Sequence, residues 1–258
     1  MSDPHEHISL YFFDVDDNIL FLGTKIFIRN TVTGEEVPLS TEEYAATHPH
    51  LGRPGRWEDF REFDGSFRQF RDISADQLRP GQRQYFVEDV EKAVGSGGTA
   101  WQGPSWPMFV HACQTQRPVS IVTARGHSPD TLRAGIRLLA DRGLIAREPN
   151  YLAIFPVTNG EVRKTQLDDP NIDMTTPALK KRAILKTVEQ AIHKWGGTSD
   201  LRFGMSDDDP KNVELIIRAM IECKKKYPGK RFYVINTHRG EEVKLEVFPY
   251  DSAANTDP

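Results

Sequence analysis

Residues 8–18 read Ile-Ser-Leu-Tyr-Phe-Phe-Asp-Val-Asp-Asp-Asn. The first six form an almost wholly apolar run rich in β-formers. A run without polar alternation predicts a strand covered on both faces, as in a parallel sheet. It stops abruptly at the cluster Asp14-Val15-Asp16-Asp17-Asn18. Acids crowded just past a buried strand are costly unless a cation or a ligand compensates them.

Three later runs repeat the design. Val119 to Val122 leads into Thr123-Ala124-Arg125-Gly126, Leu201 to Met205 into Ser206-Asp207-Asp208-Asp209, and Arg231 to Ile235 into Asn236-Thr237-His238. Tyr151 to Val157 reads as a further strand. Between them lie helical patterns over Pro129–Gly143, Pro177–Trp195 and Pro210–Tyr227, the last with Asp209 as N-cap. Strands alternating with helices predict an α/β fold around a parallel sheet. Polar clusters at the carboxyl ends of its strands are where such folds bind ligands.

Residues 24–99 interrupt the alternation. Thr24 to Pro38 predicts a hairpin turning at Thr33-Gly34-Glu35. Helical stretches are expected next, with Trp57, Phe60, Phe63, Phe67 and Phe70 interleaved with Arg53, Arg56, Arg61, Arg68 and Arg71. Such a mixture can grip a phosphorylated or nucleic-acid substrate. Because Glu58, Asp59, Glu62 and Asp64 dilute the charge, it reads instead as an amphipathic helix pair with arginines in water. Residues 24–99 are expected to form an inserted cap, a flap hairpin plus helices; residues 1–23 and 100–258 form the core.

With 33 basic against 37 acidic side chains, the net charge of −4 excludes a general basic field for nucleic acid. Cys113 and Cys223 have no metal-ligand spacing and predict buried free thiols. No apolar run is long enough to span a bilayer, and the polar start differs from a signal peptide, so a cytoplasmic protein is expected. The segment 251–258 reads as a disordered tail.

The paired acids suit phosphoryl transfer. One carboxylate attacks phosphorus while its neighbour protonates the leaving alkoxide and later deprotonates water. A divalent cation offsets the repulsion between carboxylate and phosphate, and Asp207 and Asp208 are placed to complete its hard-oxygen site. Thr123 and the Ala124 amide are candidate donors to the phosphoryl oxygens, and Lys180 a candidate cation; spacing does not exclude Lys181. Arg125 and His127 follow directly, Arg125 as a candidate leaving-group contact and His127 as a surface loop residue.

In these motifs the chain resembles the phosphatases of the haloacid dehalogenase superfamily. FFDVDDNIL is similar to the family's first motif, SIVTARG to its second, the Lys180 region to its third and FGMSDDDPKN to its fourth, in the family's order. The resemblance implies a Rossmann-like three-layer core with an inserted cap that chooses the substrate. It implies Asp14 as nucleophile and Asp16 as general acid and base. Thr123, Ala124 and Lys180 would hold phosphate, with Asp14, Asp16, Asp207 and Asp208 around Mg2+. The expected partner is a small phosphorylated substrate. A nucleic-acid end phosphatase, a phosphotransferase and an aspartyl-phosphorylated signalling module use similar residues. Asn18 departs from the family's usual Thr or Val.

Overall fold

The structure, a computed structural model, describes residues 7–196, 200–207, 210–237 and 243–248. The strands in chain order are β1 (Ile8–Phe13), β2 (Ile26–Asn30), β3 (Glu36–Leu39), β4 (Phe60–Arg61), β5 (Pro118–Thr123), β6 (Asn150–Pro156), β7 (Leu201–Asp207), β8 (Arg231–Asn236) and β9 (Val243–Glu246). The helices are α1 (Thr41–Thr47), α2 (Tyr85–Gly95), α3 (Trp106–Thr115), α4 (Pro129–Asp141), α5 (Gly160–Gln166), α6 (Thr176–Trp195) and α7 (Pro210–Lys226).

The main sheet runs β6-β5-β1-β7-β8-β9 and is parallel except for β9, which is antiparallel to β8. Side chains leave β1 alternately to two apolar clusters. Leu10 and Phe12 join Leu179, Ala183, Ile184, Val213 and Ile216 of α6 and α7. Phe13 joins Phe86 of α2, Phe109 of α3 and Leu132 of α4. The fold is therefore α/β and Rossmann-like, a sheet between two helical layers. Burial on both faces explains why these strands read as continuous apolar runs.

Strand order reverses at β1: the chain first builds outward through β5 and β6, then returns on the other side to lay down β7 and β8. Such a reversal opens a crevice at the carboxyl ends of the strands. Phe13 is level with Ser206 of β7, so the next residues of the two strands, Asp14 and Asp207, emerge side by side.

Within residues 24–99, β2 and β3 form the expected hairpin, with Gly34 at φ +77° in its turn and β4 adding a third strand to β2. The expected amphipathic helix pair is absent. The aromatic series lies instead on β4, on turns and on a short 3-10 turn over Arg68–Phe70. Turn chemistry overrides the apolar pattern: Gly52 and Gly55 take positive φ, and Ser66 closes a turn with Phe63 through backbone and hydroxyl bonds. α2 ends the segment and packs on α4, with Phe86 and Val90 fully buried.

β9 has no counterpart in the sequence reading, because all four of its residues are exposed and show no apolar run. The tail from 251 to 258 and the Asp209 cap lie outside the described residues. Cys113 and Cys223 are buried free thiols, as expected, and burial pushes both up to about 12. Among the described residues no helix is long and apolar enough to cross a membrane.

Candidate active site

Asp14 leaves the end of β1 almost completely buried. Its Oδ1 accepts the Val15 amide at 2.7 Å, and its Oδ2 accepts Lys180 Nζ at 2.6 Å. Lys180 stands one turn into α6, buried, with its ammonium also 3.7 Å from Asp207 Oδ2. Burial alone would lower the Lys180 pKa, but the Asp14 and Asp207 carboxylates overcome it and hold the ammonium above its ordinary value. Lys181, one residue on, points outward and pairs with Glu222 at 2.7 Å. A helix turns about 100° per residue, so only one of two adjacent lysines can reach the sheet edge.

Asp16 takes a different partner. Arg125 grips it with two nitrogens, Nη2 to Oδ1 at 2.6 Å and Nε to Oδ2 at 2.9 Å. The guanidinium is wholly buried and lies 4.8 Å from the ring centres of both Phe70 and Phe86. Its Nη2 also donates to Thr24 Oγ1 at 2.8 Å, and that hydroxyl donates to Asp89 at 2.6 Å. Arg125 thus stands behind Asp16 rather than on the cleft surface. Desolvation raises the Asp89 and Asp17 carboxyls above the usual range, opposed at Asp17 chiefly by a bond from Thr41.

The turn after β5 is tied down from both sides. Gly126 N donates to Phe70 O at 2.8 Å, and Ser128 N to Asp72 at 2.9 Å. Thr158 Oγ1 donates to Ala124 O at 2.8 Å, and Asn159 Nδ2 to Gly126 O at 3.0 Å. Ala124 lines the cleft, whereas the fully buried Thr123 hydroxyl accepts the Arg125 amide at 3.3 Å.

Asn18, read from sequence only as a departure, is fully buried and joins four segments. Its Nδ2 donates to Ser206 O and Oγ, both at 3.1 Å, and its Oδ1 accepts Ser105 Oγ at 2.6 Å and Thr237 Oγ1 at 3.3 Å. Gly103 packs so tightly over this loop that a Cβ there would stand 2.4 Å from the Asn18 carbonyl. Asn18→Ala strands several buried polar groups and should lower unfolding free energy by about 2–4 kcal/mol. Denaturant unfolding checks this; a loss under about 0.5 kcal/mol would show that water replaces the amide.

His127 was expected on the surface, and the structure corrects that. It is wholly buried beside Phe86, 5.8 Å between ring centres, and neither ring nitrogen has a partner among the described residues. The apolar neighbours arrive from α2, far away in sequence. Burial, with help from Arg125, lowers its pKa to about 3. The unfolded chain therefore binds the extra proton first. His127 contributes fully above its ordinary value of 6.5, and stability falls as pH drops from there toward 3. From pH 6.5 to 5 the loss should be about 2 kcal/mol. His127→Leu should flatten this part of the pH profile, and an unchanged slope would refute the assignment.

The carboxylates of Asp14 and Asp207 converge on one ammonium, and Asn212 Nδ2 steadies Asp207 Oδ1 at 3.1 Å. Among the described residues no three His, Cys, Asp or Glu side chains gather into a metal cluster. Magnesium suits this sparse set, since it commonly takes one or two carboxylates and completes its shell with water and substrate phosphate. Asp208 lies outside the described residues.

A cleft of about 580 Å³ opens over Asp14 and Asp16. It is lined by Ile26, Thr41, Tyr44, Phe67, Phe70 and Arg71 from residues 24–99, and by Thr158, Arg163 and Thr176 from later in the chain. Sequence reasoning named Phe67, Phe70 and Arg71 only within a longer series and missed Tyr44. Comparison with protein-family models, with curated proteins and with solved structures finds no match for the chain.

Proposed function

We propose that the chain is a magnesium-dependent phosphohydrolase of the haloacid dehalogenase type, cleaving a phosphate monoester through an aspartyl-phosphate on Asp14. The observation that carries this reading is the pairing of Asp14 with Lys180 on a cleft floor beside a second, separately held carboxylate, Asp16. Bidentate anchoring by Arg125 keeps Asp16 apart from the Asp14–Lys180–Asp207 group, so two adjacent carboxylates take different roles.

In the first half-reaction a carboxylate oxygen of Asp14 attacks phosphorus. The ester P–O bond breaks as Asp16 gives its proton to the leaving alkoxide. In the second, Asp16 takes a proton from water, whose oxygen attacks phosphorus. The bond between Asp14 and phosphorus breaks, releasing inorganic phosphate. Lys180 holds negative charge near the transferring group, with the turn from Thr123 to Gly126 at its side. Magnesium, held by Asp14 and Asp207, would offset the repulsion between the Asp14 carboxylate and the phosphate dianion.

The test is phosphate release from a generic aryl phosphate by the purified protein, with magnesium and with excess chelator. Release that requires the metal supports the reading. Equal release under both conditions would remove magnesium from it, and no release with aryl or alkyl phosphates would remove the hydrolase.

A further inference from the structure

The cleft wall carries a preference about what is attached to the phosphate. Tyr44, Phe67 and Phe70 stand along it as a ladder of edge-to-face pairs, Tyr44 to Phe67 at 5.7 Å and 82°, Phe67 to Phe70 at 6.4 Å and 73°. All three keep partial exposure. Tyr44 is anchored by its hydroxyl on Glu62, and Phe70 by Arg125, so the ladder is held in place before any ligand arrives. Other members of the aromatic and arginine series are occupied elsewhere. Trp57 packs on Phe60, Arg61 caps backbone carbonyls, and Arg68 pairs with Glu36.

Three hydroxyl residues, Thr41, Thr158 and Thr176, line the same cleft from three separate segments; Thr41 already bonds Asp17 and Thr158 donates to Ala124 O, while their oxygens can still accept. Arg71 adds a cation. Its Cγ lies 3.3 Å from where a Gly126 Cβ would be, so its stem crosses the turn after β5, and no carboxylate pairs with it among the described residues. The other cation lining the cleft, Arg163, is bound to Asp169 at 2.6 Å and to Met174 O.

We infer that the ester taken by this cleft is a nucleoside monophosphate, its base stacked on the Tyr44–Phe67–Phe70 wall while its phosphate meets Asp14. This rests on the phosphohydrolase reading and names its substrate class. A sugar phosphate would leave the ring faces in water. An alkyl or lipid phosphate would lay an apolar chain against the polar groups of Thr176 and Arg71 and satisfy neither. A nucleoside presents a flat ring to the wall and ribose hydroxyls to the threonine oxygens, and the cleft volume is of the size that holds one such ligand.

Binding to the Asp14→Asn protein, measured by calorimetry with magnesium present, tests this without requiring turnover. The probes are adenosine 3′- and 5′-monophosphate, ribose 5-phosphate and a short oligonucleotide with a terminal phosphate. A nucleotide should bind about tenfold or more tighter than ribose 5-phosphate, as expected for one stacked base. Phe67→Leu in the same background should remove most of that ratio. Equal affinity for nucleotide and ribose phosphate, or no detectable nucleotide binding, would overturn the inference. An oligonucleotide binding more tightly than either mononucleotide, with steep salt dependence, would overturn it in favour of a strand end. Nucleotide binding with no phosphate release by the wild type from any ester would instead overturn the hydrolase and leave a nucleotide-binding cleft.

Discussion

Asp14→Asn should abolish turnover, lowering kcat on the order of 10⁴-fold or more, while the protein stays folded. The amide has the shape of the carboxylate, and its oxygen can still accept the Val15 N–H that now bonds Oδ1. It has no charge with which to attack phosphorus. Lys180 loses its nearest partner, yet Asp207 remains 3.7 Å from the ammonium, so the buried cation is not stranded. Stability should therefore fall far less than activity. Phosphate release and a thermal melt on the same preparation separate the two. Activity above about one per cent of wild type, well beyond what the lost nucleophile allows, would sink the assignment of Asp14.

Arg125→Met should produce the second large effect, and it acts on both stability and rate. Methionine fills much of the space between Phe70 and Phe86 but makes none of the bonds to Asp16 and Thr24. Breaking a buried ion pair from one side typically costs about 3–5 kcal/mol. Asp16 keeps 19% of its side chain in solvent, so a loss of about 3 kcal/mol, the lower end, is expected. Freed from its clamp, Asp16 no longer meets the leaving oxygen in one geometry. The rate should fall about a hundredfold for alkyl phosphates, which need a proton donor, and much less for aryl phosphates with good leaving groups. A variant with wild-type unfolding free energy and an unchanged dependence on leaving group would show that the clamp is dispensable. Arg125→Lys keeps a charge but cannot form the fork, and should recover only part of either quantity.

The main sheet was legible in sequence because its physics is local. β1, β5, β6, β7 and β8 are covered on both faces, so each appears as a short apolar run, and each run ends where the polar loop begins. α4 and α6 announced themselves through helical spacing for the same reason. Along residues 52–71 the spacing misled: rings at such intervals suit a helix, but the turns at Gly52 and Gly55 and the Ser66 turn broke the segment, and the rings packed pairwise between elements. β9 left no mark, since its pairing with β8 is a backbone matter and its side chains face water.

For the site, the sequence by itself determined which chemical groups stand at the ends of the strands: the acids 14, 16 and 207, the Thr123–Gly126 turn and a lysine at 180 or 181. Only the tertiary structure decided how they are divided. It placed Lys180 rather than Lys181 between Asp14 and Asp207, gave Asp16 to Arg125, buried His127 and turned Asn18 into the joint between four segments. Each of those decisions rests on partners up to 219 residues apart, such as Asn18 and Thr237, whose approach is set by strand order and helix phase. A strand's character is carried by neighbours along the chain, whereas a side chain's charge partner and burial are carried by neighbours in space.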